Sequence, residues 1–334
     1  MAIKIDPSWD SEPGRHWRAF VDFCRYETWA GGPDPHMAVI GHMIKNEPLA
    51  ERVWRMGCYL SVFNVPTAEV IWRRWSQTDA LNDRAGLENW LREHWAGIKL
   101  RRERRPVKAP HKLAECLSAY AAWMGIGWPA AQRAKTYDEL FEAVGRVRYA
   151  GRYATIKLCE GLRRYCDVGP AQDDLRPRGG KHPRLGLSYL YPQHRPILLG
   201  GDAKPNLRFA NELAIEVRAR LIDAGLSLSH WSVEAMLCDY KQAFHSRQYP
   251  GRSQDSELAY WDAVNDYWNA GTEMFDARSA IFPREVLGEL TGWTGVREEL
   301  TTVLRDYGYT WSDALYDYNA TLASGDFEHP VSRT

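Results

Sequence analysis

Apolar side chains recur along this chain at steps of three and four residues, the spacing that places them on one face of an α-helix. The clearest stripe lies in the segment 205–224 and ends before Gly225, which stands where a left-handed C-cap would fall. Pro48 and Thr136 mark two further helix starts, and Thr136 has Glu139 at capping-box spacing. Alternating strand patterns are scarce. The pattern therefore predicts an all-α fold of roughly a dozen helices.

Two segments interrupt the helical pattern, at 167–206 and 245–256. The first is rich in glycine, proline and charge, and both mix charged with aromatic residues. Long irregular segments within a compact helical protein are usually functional or disordered, and the mixed composition argues against simple disorder. We therefore expect functional loops in both.

The composition indicates a folded protein with reduced thiols. The chain has 334 residues, of which 45 % are hydrophobic and 15 are tryptophan, and this excludes a disordered chain. Its six cysteines form no C-x-x-C pair and no P-loop pattern is present, so we expect no metal and no cofactor. The chain contains neither a secretory apolar region nor an apolar run long enough to cross a bilayer. We therefore expect a cytoplasmic protein with no membrane partner.

The formal net charge of zero hides a strong asymmetry. Residues 101–200 carry a net charge of +10, whereas residues 1–100 carry −1 and residues 201–334 carry −9. We accordingly expect an N-terminal helical subdomain at 1–100, a basic region with the active-site loop at 101–200, and a C-terminal helical subdomain at 201–334 that completes the pocket. A concentrated basic region in a neutral protein indicates a polyanion-binding surface.

The densest basic run lies at 101–112, between two predicted helices. Guanidinium groups match phosphate oxygens in geometry, and ammonium groups act as point charges, so this run is suited to a nucleic-acid backbone. A solvated basic loop is the alternative, but further basic residues follow between 146 and 184. The DNA-binding candidates in the run are Arg101, Arg102, Arg104, Arg105, Lys108 and Lys112.

The segment 145–165 predicts a helix end, a tight turn at Gly151 and a second helix. Glycine permits close backbone approach, and the N-terminus of a helix attracts phosphate. This turn adds four DNA-binding candidates: Arg148, Gly151, Arg152 and Tyr153.

The turn resembles the hairpin of the helix-hairpin-helix DNA glycosylase superfamily. In that superfamily the hairpin grips the DNA backbone, and an aspartate about twenty residues later points into the pocket of a flipped-out base. Here Asp174 follows Gly151 by 23 positions. Tyr149 stands where the first glycine of the usual hairpin would be, and Tyr153 replaces the lysine of strand-cleaving members. The resemblance therefore disfavours a Schiff-base lyase.

A wider set of blocks, from about Asp34 to about Asp262, resembles a phage family. This is the alpha-glutamyl/putrescinyl thymine pyrophosphorylase family, also called amino acid:DNA transferases. The resemblance implies a helix-hairpin-helix DNA glycosylase-like fold with extra C-terminal helices. The blocks that carry it are 101–112, Gly151-Arg152-Tyr153, Asp174–Arg184, Tyr189–Pro192, Leu237–Gln242 and Tyr249–Ser256.

The family resemblance implies a specific reaction in the cytoplasm of an infected bacterium. Thymine-like bases of bacteriophage DNA are first made as 5-hydroxymethyluracil and then pyrophosphorylated by a separate kinase. The transferase displaces pyrophosphate with an amine and leaves a hypermodified thymine. Its partners would be double-stranded phage DNA that contains the modified uracil, with base flipping, and a free amino acid such as glycine or glutamate, or a polyamine.

This chemistry needs cations for the leaving pyrophosphate and a base for the amine. Arg176, Lys181 and Arg184 are the leading cations, with a solvated basic loop as the alternative. Asp174 is the first candidate for the general base and Asp173 the second, since spacing does not separate adjacent acids. The alternative for either aspartate is a helix cap.

The C-terminal blocks supply the remaining candidates. Lys241 is a third catalytic candidate, and Asp239 lies two positions before it. Arg252 is suited to an amino acid carboxylate and Asp255 to its ammonium, although a salt-bridge network between C-terminal helices explains them equally well. Tyr249 and His36 complete the set of substrate-binding candidates, and for His36 a surface histidine is the alternative.

Two other functions remain open at this point. One is a base-excision glycosylase in which Asp174 assists attack at the sugar C1′ atom. The other is a non-catalytic DNA-binding protein that uses the same basic surface.

Overall fold

The computed structural model describes residues 15–29, 31–172, 180–200, 204–243, 252–269 and 273–282. Sixteen α-helices and three short 3-10 turns form this part of the chain, and it contains no strand. The predicted all-α class is confirmed, whereas the narrower glycosylase-like fold stays a prediction. The helices are α1 (Arg15–Trp29), α2 (Pro35–Ile44), α3 (Leu49–Val62), α4 (Val65–Arg74), α5 (Gln77–Asn82), α6 (Arg84–Glu93), α7 (Pro110–Ile126), α8 (Trp128–Arg133), α9 (Tyr137–Gly145), α10 (Arg152–Cys166), α11 (Lys181–Leu190), α12 (Arg195–Leu199), α13 (Leu207–Asp223), α14 (His230–Ala243), α15 (Arg252–Trp268) and α16 (Glu273–Ile281).

Local sequence signals set several of these boundaries. The side chain of Thr136 accepts a hydrogen bond from the backbone N–H of Glu139, and the Glu139 carboxylate accepts one from the backbone N–H of Thr136, so the capping box is confirmed. Asn64 caps α4 by accepting from the backbone N–H of Thr67. Gly225, at φ +83°, ends α13 in the left-handed conformation that the sequence predicts.

The chain forms two compact units, which we call unit 1 and unit 2. Unit 1 comprises Met1–Pro35, Gln172–Asp255 and Phe282–Thr334, and unit 2 comprises His36–Ala171 and Ser256–Ile281. These boundaries differ from the three segments that charge suggests, because residues 36–100 and 101–171 fall in one unit. The difference arises because charge reports on surface, whereas the units reflect which apolar faces pack together.

In unit 2 the core forms where α3 meets α4, α7 and α10. Close approach between α3 and α7 depends on Gly57, because a Cβ atom there would lie 1.8 Å from Cε1 of Tyr120. The Tyr120 hydroxyl donates to the carbonyl of Val53 at 2.9 Å, so this buried ring is also hydrogen-bonded. Small and large residues thus interlock at the centre of the unit.

In unit 1 the core forms between α1, α11, α13 and α14. The stripe predicted at 205–224 becomes α13, and Ala210, Leu213 and Val217 are buried there. α11 and α14 approach closely at Gly186, where a Cβ atom would lie 2.1 Å from the carbonyl oxygen of Leu237. This crossing brings the start of α11 beside the end of α14.

No helix in the described ranges is both long and apolar enough to cross a membrane.

Candidate functional site

The turn between α9 and α10 holds Tyr149 in a left-handed conformation. Its φ is +63°, in a region of backbone conformation that residues other than glycine rarely adopt. Its phenol donates a hydrogen bond to Oε2 of Glu115 at 2.6 Å, and this bond lowers the pKa of that carboxyl.

Arg104 supports this turn from inside the protein. Its side chain is 4 % exposed and donates to the carbonyls of Ser61 and Tyr149 at 2.9 and 3.2 Å. It also donates to Sγ of Cys116 at 3.4 Å, and burial lowers the pKa of the guanidinium. The expectation that Arg104 contacts a DNA phosphate is corrected accordingly, because its donors are committed to buried acceptors. Arg104 positions the turn.

Other cations around the turn are accessible. Lys108 and Lys112 are exposed, and Arg152, the first residue of α10, is half-buried. Arg148 is 63 % exposed and forms an ion pair with Glu115 at 2.7 Å. For Arg102 and Arg105 the backbone forms a 3-10 turn over Arg102–Val107, but their side chains lie outside the described set.

Gly151 leaves the start of α10 open to approach. A Cβ atom placed there would meet nothing within 4 Å. Tyr153, in the first turn of the same helix, is 42 % exposed. An open helix N-terminus beside an exposed aromatic ring is suited to a phosphate backbone with an adjacent base.

Lys157 is a residue of this region that the sequence prediction missed as a site residue. Its ammonium is buried 4.8 Å from the ring centre of Phe63 and 5.1 Å from that of Tyr153. The spacing of Tyr153 and Lys157, one helical turn apart, could have indicated this contact. The lysine orders the exposed ring through a cation–π interaction.

His36 and Arg101 form a contact within unit 2. Nη2 of Arg101 lies against Nε2 of His36, which is almost fully buried, and the guanidinium stands 5.8 Å from the ring centre of Tyr260. His36 is therefore a buried partner of Arg101, and the alternative of a surface histidine is wrong. Arg101 itself is half-buried.

In unit 1, Lys181, His182 and Lys241 form a cationic cluster at the N-terminus of α11. Nζ of Lys241 lies 3.0 Å from Nδ1 of His182, and Lys241 is only 6 % exposed. Burial, then the charge of Lys241, then that of Lys181 lower the pKa of His182. Lys181 and His182 are exposed, so the cluster has one buried and two accessible members.

Two other predicted substrate ligands lie near this cluster. Arg184 is buried, and its Nε donates to the carbonyl of Leu198 at 3.0 Å, an arrangement that ties α11 to α12. This contact corrects the expectation of an exposed pyrophosphate ligand at Arg184. Asp239 is half-buried on α14.

The remaining predicted residues lie wholly or in their side chains outside the described part of the chain. Asp173, Asp174, Arg176 and Tyr249 lie outside the described residues. Arg252 and Asp255 belong to the first turn of α15, and their side chains are outside the described set. In the part of the chain that is described, no three histidine, cysteine, aspartate or glutamate side chains group as metal ligands.

Comparison with family models, curated proteins and solved structures finds no match to this chain.

Proposed function

We propose that this chain is an amino acid:DNA transferase that modifies a base of phage DNA. The amine of an amino acid or polyamine attacks the 5-methylene carbon of 5-(pyrophosphoryloxymethyl)uracil. A C–N bond forms as the C–O bond breaks, and the electron pair leaves with the pyrophosphate oxygen. The incoming amine must be neutral to attack, so a general base first removes a proton from its ammonium form, and Asp174 is the first candidate for this base and Asp173 the second.

The cluster of Lys181, His182 and Lys241 is the observation that carries this proposal. Pyrophosphate gains negative charge as the C–O bond breaks, so its departure is favoured by cations that are already in place. Lys241 is held by burial and by its contact with His182 at 3.0 Å, so it loses little further freedom on binding. Lys181 lies in the same N-terminal turn, where backbone N–H groups also favour an anion.

The turn between α9 and α10 supports DNA as the substrate. Exposed Lys108, Lys112 and Arg148 supply charge for phosphates, and the open backbone at Gly151 permits close approach. Tyr153 offers a ring face for stacking next to that backbone. These groups are suited to a nucleic-acid backbone and carry no preference for a base sequence.

Incubation of defined DNA with amines tests the proposal. Duplex DNA that contains 5-(pyrophosphoryloxymethyl)uracil is mixed with the protein and with glycine, glutamate or putrescine, then digested to nucleosides for mass spectrometry. A nucleoside in which the amine replaces pyrophosphate is the expected product. Abasic sites instead would establish the base-excision glycosylase. Unmodified DNA that is nonetheless bound would establish the non-catalytic function.

Matched variants locate the chemistry. Asp174→Asn is expected to abolish turnover while DNA binding persists, and Asp173→Asn tests the second candidate for the general base. Lys181→Ala is expected to slow pyrophosphate release, with Lys204→Ala, an exposed lysine of unit 1, as the control. Full activity of both Asp174→Asn and Asp173→Asn would contradict the general-base assignment.

A further inference from the structure

Unit 2 contains a cavity of about 250 Å³ that the proposed reaction does not use. It lies where the ends of α4, α6 and α15 meet. Charged groups and two indole rings line it together, which is unusual for a cavity that has only a packing role. The lining residues are Glu69, Val70, Arg73, Arg74, Trp90, Trp268 and Asn269.

Two tryptophans form the apolar wall of the cavity. The rings of Trp90 and Trp268 stack with their centres 5.5 Å apart and their planes inclined by 30°. Nε1 of Trp268 donates to the carbonyl of Gly97 at 3.0 Å and so fixes this ring. The wall is therefore rigid, and its indole faces attract both apolar groups and cations.

Glu69 supplies a buried carboxyl group to the cavity. Nη2 of Arg73 lies 2.6 Å from Oε1 of Glu69 and 3.0 Å from Oε2 of Glu273, so two acids share one guanidinium. Oε1 of Glu69 accepts no hydrogen bond of good geometry from the described residues in spite of this ion pair. The pKa of Glu69 is raised to about 7, chiefly by burial, and the charge of Glu273 acts in the same direction against the opposing charges of Arg73 and Arg55. The carboxyl group is therefore undercompensated and would gain from a further cation.

The helix ends reinforce this preference. α4 ends at Arg74, α6 at Glu93 and α15 at Trp268, so residues from the last turn of each helix line the cavity. Such ends carry partial negative charge and attract cations. Arg74, in contrast, favours an anion. Its guanidinium is exposed and lies 5.0 Å from the ring centre of Trp75. In the described part of the chain it has no carboxylate within ion-pair distance.

We propose that this cavity binds a free α-amino acid, with its ammonium at Glu69, its carboxylate at Arg74 and an apolar side chain against Trp90 and Trp268. A simple cation would not neutralise the charge of Arg74, and a simple anion would not neutralise the charge of Glu69. A zwitterion neutralises both. The binding stands on these residues alone. A role of the bound molecule as the amine donor rests on the proposed function.

Calorimetric titration of the full chain with leucine and two analogues tests the charge assignment. Leucinamide lacks the carboxylate and 4-methylpentanoate lacks the ammonium, while both keep the apolar stem. Leucine is expected to bind at least about tenfold more tightly than either analogue, a factor that corresponds to one charge-assisted contact. Equal affinity for leucine and 4-methylpentanoate, or no binding of any of the three, would overturn the proposal.

The pH dependence of leucine binding separates Glu69 from other groups. An ammonium binds the ionised carboxyl, and with the pKa of Glu69 at about 7 the affinity is expected to fall about tenfold from pH 8 to pH 6. The other charged or titratable groups here are Arg55, Arg73, Arg74, Glu273 and His94, the last of which packs against Trp268.

Two variants make this test specific. Glu69→Gln keeps the volume and all the other groups, so leucine is expected to bind it at least about tenfold more weakly at pH 8 and without dependence on pH. Glu93→Gln, an exposed acid on the same helix as Trp90, is the matched control and is expected to bind as the wild type does. A pH dependence that survives in Glu69→Gln would contradict the proposal. Because no DNA is present, binding with failed transferase activity would refute only the proposed function.

Discussion

Nζ of Lys241 lies 3.0 Å from Nδ1 of His182. A lysine ammonium has only donors, so this contact makes Nδ1 the acceptor and places the proton of the neutral imidazole on Nε2. Desolvation favours the neutral form of this imidazole, and the charges of Lys241 and Lys181 act in the same direction. A bound pyrophosphate would reverse the local sign of charge, so His182 is the group that reports occupation of this cluster.

Removal of the charge at Lys241 should raise the pKa of His182. Lys241→Met keeps the length of the side chain and removes one of the two charges that lower this pKa. Titration of the His182 imidazole by NMR should show a higher midpoint pH in Lys241→Met than in the wild type. Lys204→Met, at an exposed position of the same unit, serves as the control. A midpoint that is unchanged in Lys241→Met would mean that burial alone sets the pKa.

Loss of the Arg104 guanidinium should destabilise unit 2. Arg104→Met leaves the buried carbonyls of Ser61 and Tyr149 without this donor, at an expected cost of about 2 to 4 kcal/mol in the free energy of unfolding. Lys108→Met, at an exposed position, should change that free energy by less than about 0.5 kcal/mol. Urea denaturation measures both. If the two variants are equally stable, the hydrogen bonds that Arg104 donates to buried carbonyls do not stabilise unit 2, and the prediction is wrong.

The backbone at Tyr149 should prefer glycine to alanine. At φ +63° an added Cβ atom is strained, so Tyr149→Gly should be more stable than Tyr149→Ala, and the comparison cancels the loss of the phenol. The order should reverse at Glu142, an exposed position of α9, because alanine is the better helix former there. Thermal unfolding of the four variants decides the point, and the same order at both positions would argue against a strained turn.

The salt dependence of DNA binding should identify the phosphate contacts. Each contact contributes about 0.9 to the slope of log K against log salt, so Lys112→Ala should reduce the slope by about that amount if it binds one phosphate. Lys204→Ala should leave the slope unchanged. Arg148→Ala should have the smaller effect, because Glu115 already neutralises part of its charge. Fluorescence anisotropy at several salt concentrations measures all three, and an unchanged slope in Lys112→Ala would remove this face from the DNA surface.

Ionisation of Glu69 should destabilise the folded protein. Its folded-state pKa of about 7 is above the ordinary value of 4.5, so the folded state holds the proton more tightly. The stabilisation from this group is complete below about pH 4.5 and is lost as the pH rises through 7. The stability of Glu69→Gln relative to the wild type should therefore rise by about 2 kcal/mol between pH 5 and pH 8. A gap independent of pH would show that Glu69 ionises normally.

Local signals in the sequence were sufficient for the helices and insufficient for the site. The capping box at Thr136 and the C-cap at Gly225 depend on neighbouring residues only, so spacing predicted both. Arg104 was predicted as a surface residue because its neighbours in the run 101–112 are equally basic. Its burial depends on Ser61, 43 positions earlier, and no spacing within the run indicates that contact.

The cavity at Glu69 could not be predicted for a similar reason. It combines residues of α4 and α6 with the end of α15, which follows almost two hundred positions after Glu69 and returns to unit 2 after the chain has passed through unit 1. The local sequence of such a segment does not indicate which unit it will pack against.

Gly186 sets the distance between α11 and α14. Because a methyl group there would collide with the carbonyl of Leu237, any larger residue would push α11 away from α14 and widen the gap between His182 and Lys241. The contact between His182 and Lys241 thus depends on a glycine that lies four positions after the histidine.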